Sequence, residues 1–388
     1  MFPVSDPRQS VLLDAPKEIE VGSIEQELVQ LWKQTGEGSS PTTAPVIRAC
    51  SLNLVIFTEG ADRSSGLEEL VSQITVDHPS RIFLISADRR SAKSSIAAWV
   101  SARCSLPVPG GRQVCCEEIN LSVSGTDANK VPSIVTSLLV PDIPTILLWR
   151  SKLDARDDVL KLLTQVAERV LIDSSEELNP LESLVAWSSV IDQGRDRTAY
   201  GDFSWTHLTH WRGLLAQAFQ PAPLREHLMS VDRVAVEYSS TRVPMHSGLS
   251  QSFLAAAWLA HVLGWVLVRP FNEETDRVFA AKFRQGERAI TLLVKEMPLR
   301  DTRPGGIESI ALHSALGGEI VLQSVVGRED CMLLRSSLSG SAPTEDVLMV
   351  HHQTEAELVS RELEILYNDP LFESAMAVLA RVLVRGNP

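Results

Sequence analysis

His207 and His210 stand three residues apart in FSWTHLTHWRGLLAQAF, a segment with helical periodicity, so both rings can share one helix surface and one metal ion. A metal also needs a third and a fourth ligand, and only Asp202 lies nearby. Two polar rings on the wet side of an amphipathic helix is the simpler reading. Cys115 and Cys116 are the second candidates, for thiol chemistry. Neighbouring side chains of a strand point to opposite faces, which disfavours a bond between the two, and a metal or redox pair calls for Cys-x-x-Cys spacing. They read first as two small apolar residues, and second as redox thiols, one of them partly exposed and acidified near Arg112. Asp154, Asp157 and Asp158 gather at a helix start, where acids stabilise the dipole, and Glu117–Glu118 alternates across a strand with one member partly buried. The chain has no GxGxxG after a strand, no phosphate-loop GxxxxGK, no GxSxG and no HExxH. Nothing in this inventory amounts to an active site, a cofactor site or a metal site.

The elements that would position these residues fall into three stretches. Residues 1–45 form a tail, a helix opened by Ser23 and Gln26 with Ile24, Leu28, Leu31 and Trp32 at helical spacing, and the linker TGEGSSPTTAP. Residues 46–175 alternate strand and helix patterns: VIRACSLNLVIF, LEELVSQITVDH, RIFLIS, the pair IAAWVSARC and QVCCEEINLSV, VPSIVTSLLV, TILLW, RDDVLKLLTQVAERV and VLIDS. That alternation predicts an α/β domain built on a largely parallel sheet with helices on its faces. Residues 176–388 predict an α+β domain with an antiparallel sheet and terminal helices: a helix over 180–192, the FSWTHLTHWR helix capped by Ser204, the strand RVAVEYS, a buried helix over 249–263, the strand WVLVR, five further strand patterns following one another through short turns, and two closing helices. In the FSWTHLTHWR helix, Leu208, Trp211, Leu215 and Phe219 make the apolar stripe. Trp205, His207 and His210 lie off it, which offers them as part of a partner surface.

The chain has 388 residues, a formal charge of −13, 44% hydrophobic and 22% charged residues. This is ordinary globular composition, and without clustered Lys and Arg it excludes a nucleic-acid or anionic-membrane surface. Five cysteines, an odd number in a long chain, read as reduced thiols of a cytoplasmic protein. The uncharged stretch 243–268 contains only 16 consecutive apolar positions, fewer than the roughly 20 a membrane span needs.

The ordered segments RACSLNLVIF, HPSRIFLI, WVSARCSL, CCEEINL, LLVPDIPTILLW, RVLIDS, DFSWTHLTHWRGLLAQAF and SRELEIL resemble the OpcA family, the glucose-6-phosphate dehydrogenase assembly proteins or subunits of bacteria. The resemblance implies a non-enzymatic partner of glucose-6-phosphate dehydrogenase that promotes its active oligomer or raises its activity in the oxidative pentose phosphate pathway. It supplies no catalytic residue and no cofactor. The resemblance ties the effect in some photosynthetic relatives to thioredoxin and cysteines, whereas Cys331 is the single cysteine of the second half here. The alternative is an α/β enzyme or binding protein that takes a sugar phosphate or nucleotide through a non-standard phosphate loop.

Overall fold

The computed structural model describes residues 10–12, 16–37, 46–60, 66–105, 113–177, 179–194, 197–242, 245–298, 305–351 and 353–383. Most of the expected 35–45 linker, Arg112 with its Pro/Gly loop, and His352 lie outside them. The chain makes two compact units. The first takes Met1–Ile172, Gly194–Gly201 and Thr354–Asn368; the second takes Asp173–Gln193, Asp202–Gln353 and Asp369–Pro388.

The first unit is built on a ten-stranded sheet. Its strands are β1 (Val11–Leu12), β2 (Lys17–Ile19), β3 (Val46–Arg48), β4 (Leu52–Glu59), β5 (Ser80–Asp88), β6 (Ser95–Ser105), β7 (Gln113–Ser124), β8 (Thr145–Arg150), β9 (Arg169–Ile172) and β10 (Ala199–Asp202). Their order is β1-β6-β7-β5-β4-β8-β9-β10, with β2 also on β6 and β3 on β7. The ladder β7-β5-β4-β8-β9 is parallel throughout, whereas β6 runs antiparallel to β7, β1 and β2. Helices α1 (Ile24–Glu37), α2 (Leu67–Asp77), α3 (Val131–Leu138) and α4 (Asp158–Thr164) belong to this unit. Every residue of β8 is buried, as is every residue of β4 except Glu59, which is what a sheet covered on both faces demands of its central strands. From β4 the chain leaves through α2 to β5 on one side, and later returns through α3 to β8 on the other. The connections therefore diverge at the carboxyl ends of β4 and β8, the usual place for a crevice in an open α/β sheet.

Local chemistry departs from the sequence expectation in several places. The strand expected over 46–57 is split, because β3 pairs with β7 while β4 starts at Leu52 against β5. The helix expected over RDDVLKLLTQVAERV is only α4, opened by the Asp157 carboxylate accepting from Val159 and Leu160 and stopped so that Arg169 can pair with Ile146. The polar run DQGRDRTAYGD hides β10.

The second unit holds α5 (Pro180–Gly194, to residue 193), α6 (Phe203–Ala218), α7 (Ala222–Met229) and α8 (Gly248–Val262). Its eight-stranded sheet has β11 (Val231–Tyr238), β14 (Val266–Thr275), β15 (Val278–Gln285), β16 (Arg288–Glu296), β17 (Ile307–Ser314), β18 (Gly318–Val325), β19 (Arg328–Leu338) and β20 (Thr344–Met349), ordered β14-β15-β16-β11-β17-β18-β19-β20. A small hairpin, β12 (Ser240–Arg242) with β13 (Met245–Ser247), stands apart. Strands joined by short turns pair antiparallel, as expected; the exception is β11 with β16, parallel neighbours separated in sequence by α8. Residues alternate across this sheet, with Val234, Val236, Leu292, Val294, Ile310 and Leu312 fully buried beneath α8. Helix α8 is buried from Gly248 through Ala260, because the sheet lies on one side and neighbouring helices on the others. Among the described residues no helix is long and apolar enough to cross a membrane. The chain then re-enters the first unit with α9 (Glu355–Leu363), opened by the Thr354/Glu357 capping box, and ends in α10 (Pro370–Val382), which packs on α8.

Candidate functional site

The FSWTHLTHWR segment forms α6, but its cap is Asp202 rather than Ser204: the Asp202 carboxylate accepts the Ser204 amide at 2.9 Å. Trp205 does not face water. It is 3% exposed, its Nε1 donates to Asp369 at 2.8 Å, its ring sits 5.7 Å from Phe372, and the Arg212 guanidinium lies 3.7 Å from its centroid. The wheel of α6 alone missed this because α10, more than 160 residues later, covers the first turn. His207 is exposed and His210 half-buried, so Trp205, His207 and His210, expected together off the apolar stripe, do not share an environment. Among the described residues no group of three His, Cys, Asp or Glu side chains is placed to hold a metal ion. Trp205→Phe, which removes the indole donor and leaves Asp369 without it, should cost about 1–2 kcal/mol in a urea melt. A cost within error would contradict a core role for Trp205.

The cysteines also depart from expectation. Cys104 and Cys115 face each other across the β6–β7 ladder, Cα atoms 4.0 Å apart, and form a disulfide. The five thiols are therefore not all reduced; Cys50, Cys116 and Cys331 are free. Cys115 is held in the disulfide, and Cys116 is 2% exposed with burial pushing its thiol up to about 11, so Cys116 is not acidified. Both faces of β7 are covered, whereas the sequence pattern suggested one open face. Replacing Cys104 and Cys115 by alanine opens a loop with sequence separation 11. It should lower stability by about 3 kcal/mol, read from the shift of the urea midpoint; an unchanged midpoint would contradict a stabilising disulfide.

Glu117 and Glu118, expected to give one partly buried member, are both buried, at 3% and 1% exposure, on opposite faces of β7. Glu117 meets Arg81 at 2.6 Å and accepts the Trp32 indole N–H, also at 2.6 Å; Arg81 in turn donates to Leu138 and Glu25. Glu118 meets Arg103 at 2.7 Å and accepts from Asn120, and Arg103 also holds Glu68. Burial alone would lower the Arg81 and Arg103 pKa values, but their glutamates more than offset it. These pairs hold the sheet to its coverings; they are closed structural networks.

Asp202 is a carboxylate in unusual surroundings. It is fully buried, accepts the amides of Ser174 and Ser204 through Oδ1, and among the described residues no group donates to its Oδ2. Burial, with the nearby Asp173 charge, raises its pKa from 3.8 to about 7. The sequence signal for it was only its position one residue ahead of α6.

At the carboxyl ends of β5, β4 and β8 lies a charged cavity of about 600 Å³, lined by Glu59, Arg89, Arg90, Lys152, Asp154, Arg156 and Asp157. Arg89 forms its floor. Its guanidinium donates to Glu59 at 2.6 Å, Ser151 at 3.1 Å and Asp157, and lies 5.6 and 5.9 Å from the ring centroids of Phe57 and Trp149. Burial works against ionising Glu59, but bonds from Arg89 and Ser151 outweigh it and hold this carboxyl below its ordinary range. The sequence pattern named Asp154 and Asp157 only as helix-start acids.

Known proteins share both halves of the chain. Residues 71–189 match the family model for the N-terminal domain of the glucose-6-phosphate dehydrogenase subunit, and residues 198–376 match the model for its C-terminal domain, both of the OpcA family. Among curated relatives, candidate OxPP cycle proteins OpcA of Synechocystis sp. and Synechococcus elongatus are 24% and 26% identical, each over 81% of this chain and over 66% and 70% of their own length. The chain thus spans about two thirds of the length of these relatives. Solved structures similar in part include an oxidoreductase from Sinorhizobium meliloti and an NAD binding oxidoreductase from Klebsiella pneumoniae, each at TM-score 0.47 and 10% identity, over 86% of this chain and 95% of theirs.

Proposed function

Since the chain belongs to the OpcA family of glucose-6-phosphate dehydrogenase subunits, we propose that it is a non-catalytic, cytoplasmic protein that binds this dehydrogenase and shifts it toward its active assembly or a more active state. The observation carrying this reading is the match of the two domain models, in order, to the two halves of one chain. An effector moves a conformational or assembly equilibrium only by its differential affinity for the two states. A coupling of about 1–3 kcal/mol changes an affinity about 5–150-fold, and binding linkage is reciprocal. Adding the protein to the cognate dehydrogenase at sub-saturating glucose 6-phosphate should raise the rate, and the effect should saturate as more is added. A rate that stays flat through micromolar additions would overturn the activating role.

The exposed His207 and half-buried His210 on α6 are the part of that helix offered to the partner in this reading. Replacing both by alanine should weaken the complex by about 1 kcal/mol, measured on a variant whose free form remains folded. Unchanged affinity would remove α6 from the interface.

A further inference from the structure

The charged cavity at the carboxyl ends of β5, β4 and β8 has an imbalance that the rest of the first unit does not explain. Four cations and three carboxylates line it. Two of the carboxylates, Glu59 and Asp157, are taken by Arg89, and the third, Asp154, is taken by Arg156 at 3.1 Å. Arg90 and Lys152 are left, and among the described residues neither makes an ion pair. They come from loops on either side of β4: Arg90 follows β5, Lys152 follows β8. The topology thus brings two cations that make no close ion pair among the described residues, Arg90 acting on Glu59 and Lys152 on Asp154 only from a distance, to the mouth of one cavity, at the point where the chain connections diverge.

We propose that this crevice binds a small phosphate-bearing metabolite, whose phosphate is taken by Arg90 and Lys152. Arg supplies a fork of donors matched to phosphate oxygens and Lys a compact ammonium, so the pair provides charge and direction without a glycine loop. Arg89 is a positioning residue here. Tied to Glu59, Ser151 and Asp157, it fixes the floor and the start of the loop that carries Arg90. The Glu59 carboxylate, bound by Arg89 and Ser151 through one oxygen, gives a sugar hydroxyl something to donate to, and the volume of about 600 Å³ accommodates a phosphorylated monosaccharide. This site is independent of the protein–protein role above.

Calorimetric titration of the full chain tests it, with glucose 6-phosphate, inorganic phosphate and glucose as probes. Saturable binding of glucose 6-phosphate tighter than inorganic phosphate identifies a phosphate ester as the ligand; equal affinity identifies the free ion; either supports the site provided glucose does not bind. Arg90→Ala with Lys152→Ala should weaken binding by about tenfold or more, whereas Lys33→Ala, an exposed cation on α1, should not. All three replaced side chains are exposed, so the fold should survive. Absence of saturable binding by both phosphates, binding that survives the double replacement, or an equal loss in Lys33→Ala would overturn the proposal.

Discussion

Replacing Glu118 by alanine should destabilise the protein by about 3–5 kcal/mol, because it strands a buried guanidinium. Arg103 is 1% exposed and would keep only Glu68, whose side chain is 65% exposed, as a charged partner. The desolvation of Arg103 would remain while most of what offsets it is gone. Replacing both members, Arg103→Met with Glu118→Leu, should recover most of the loss, since an apolar pair of similar volume leaves no buried charge unpaired. The urea midpoints of the single and double variants decide it. A single-variant cost below about 1 kcal/mol would mean that Arg103 finds water or another carboxylate, and that the network contributes little.

The contribution of Asp202 to stability should fall as pH rises from about 4 to 7. Its pKa is raised in the folded protein from 3.8 to about 7, so over that window the folded chain keeps a proton that the unfolded chain has released. Stability declines wherever the folded state binds more protons than the unfolded one. Three pKa units correspond to a difference on the order of 4 kcal/mol, absent below pH 4 and complete above pH 7. In Asp202→Asn the side-chain oxygen can still accept from Ser174 and Ser204, but nothing titrates. The stability of the variant relative to the parent should therefore climb by about 4 kcal/mol between pH 4 and 8. Parallel pH profiles for the two proteins would contradict a buried, proton-holding Asp202.

Where the sequence pattern succeeded, local chemistry and tertiary packing agreed. TILLW is apolar on both faces and became β8 in the middle of a doubly covered sheet, and LEELVSQITVDH became α2 with His78 as its C-cap. Thr354 and Glu357, three residues apart, form a capping box, a purely local device. The failures share one cause, a partner distant in sequence. Trp205 is buried by α10, Cys104 meets Cys115 only once the β6–β7 register is set, and Glu117 and Glu118 are each claimed by an arginine from another strand. Strand β10 was hidden because Gly201 must pass close to the Arg169–Glu362 pair, where an added Cβ would come within 2.9 Å of Arg169 and 2.8 Å of Glu362. A glycine between Tyr and Asp looks like a turn in sequence, and only the close approach shows why it stands in a strand. The crevice was illegible for the same reason: Glu59, Arg89 and Lys152 meet only through strand order.

The most direct test of the central claim is the native mass of a mixture of this protein with its cognate glucose-6-phosphate dehydrogenase at micromolar concentration. Membership of a shared assembly predicts a stable species that contains both chains in a fixed ratio and is heavier than either protein alone. Two unshifted masses over the whole range of mixing ratios would contradict it.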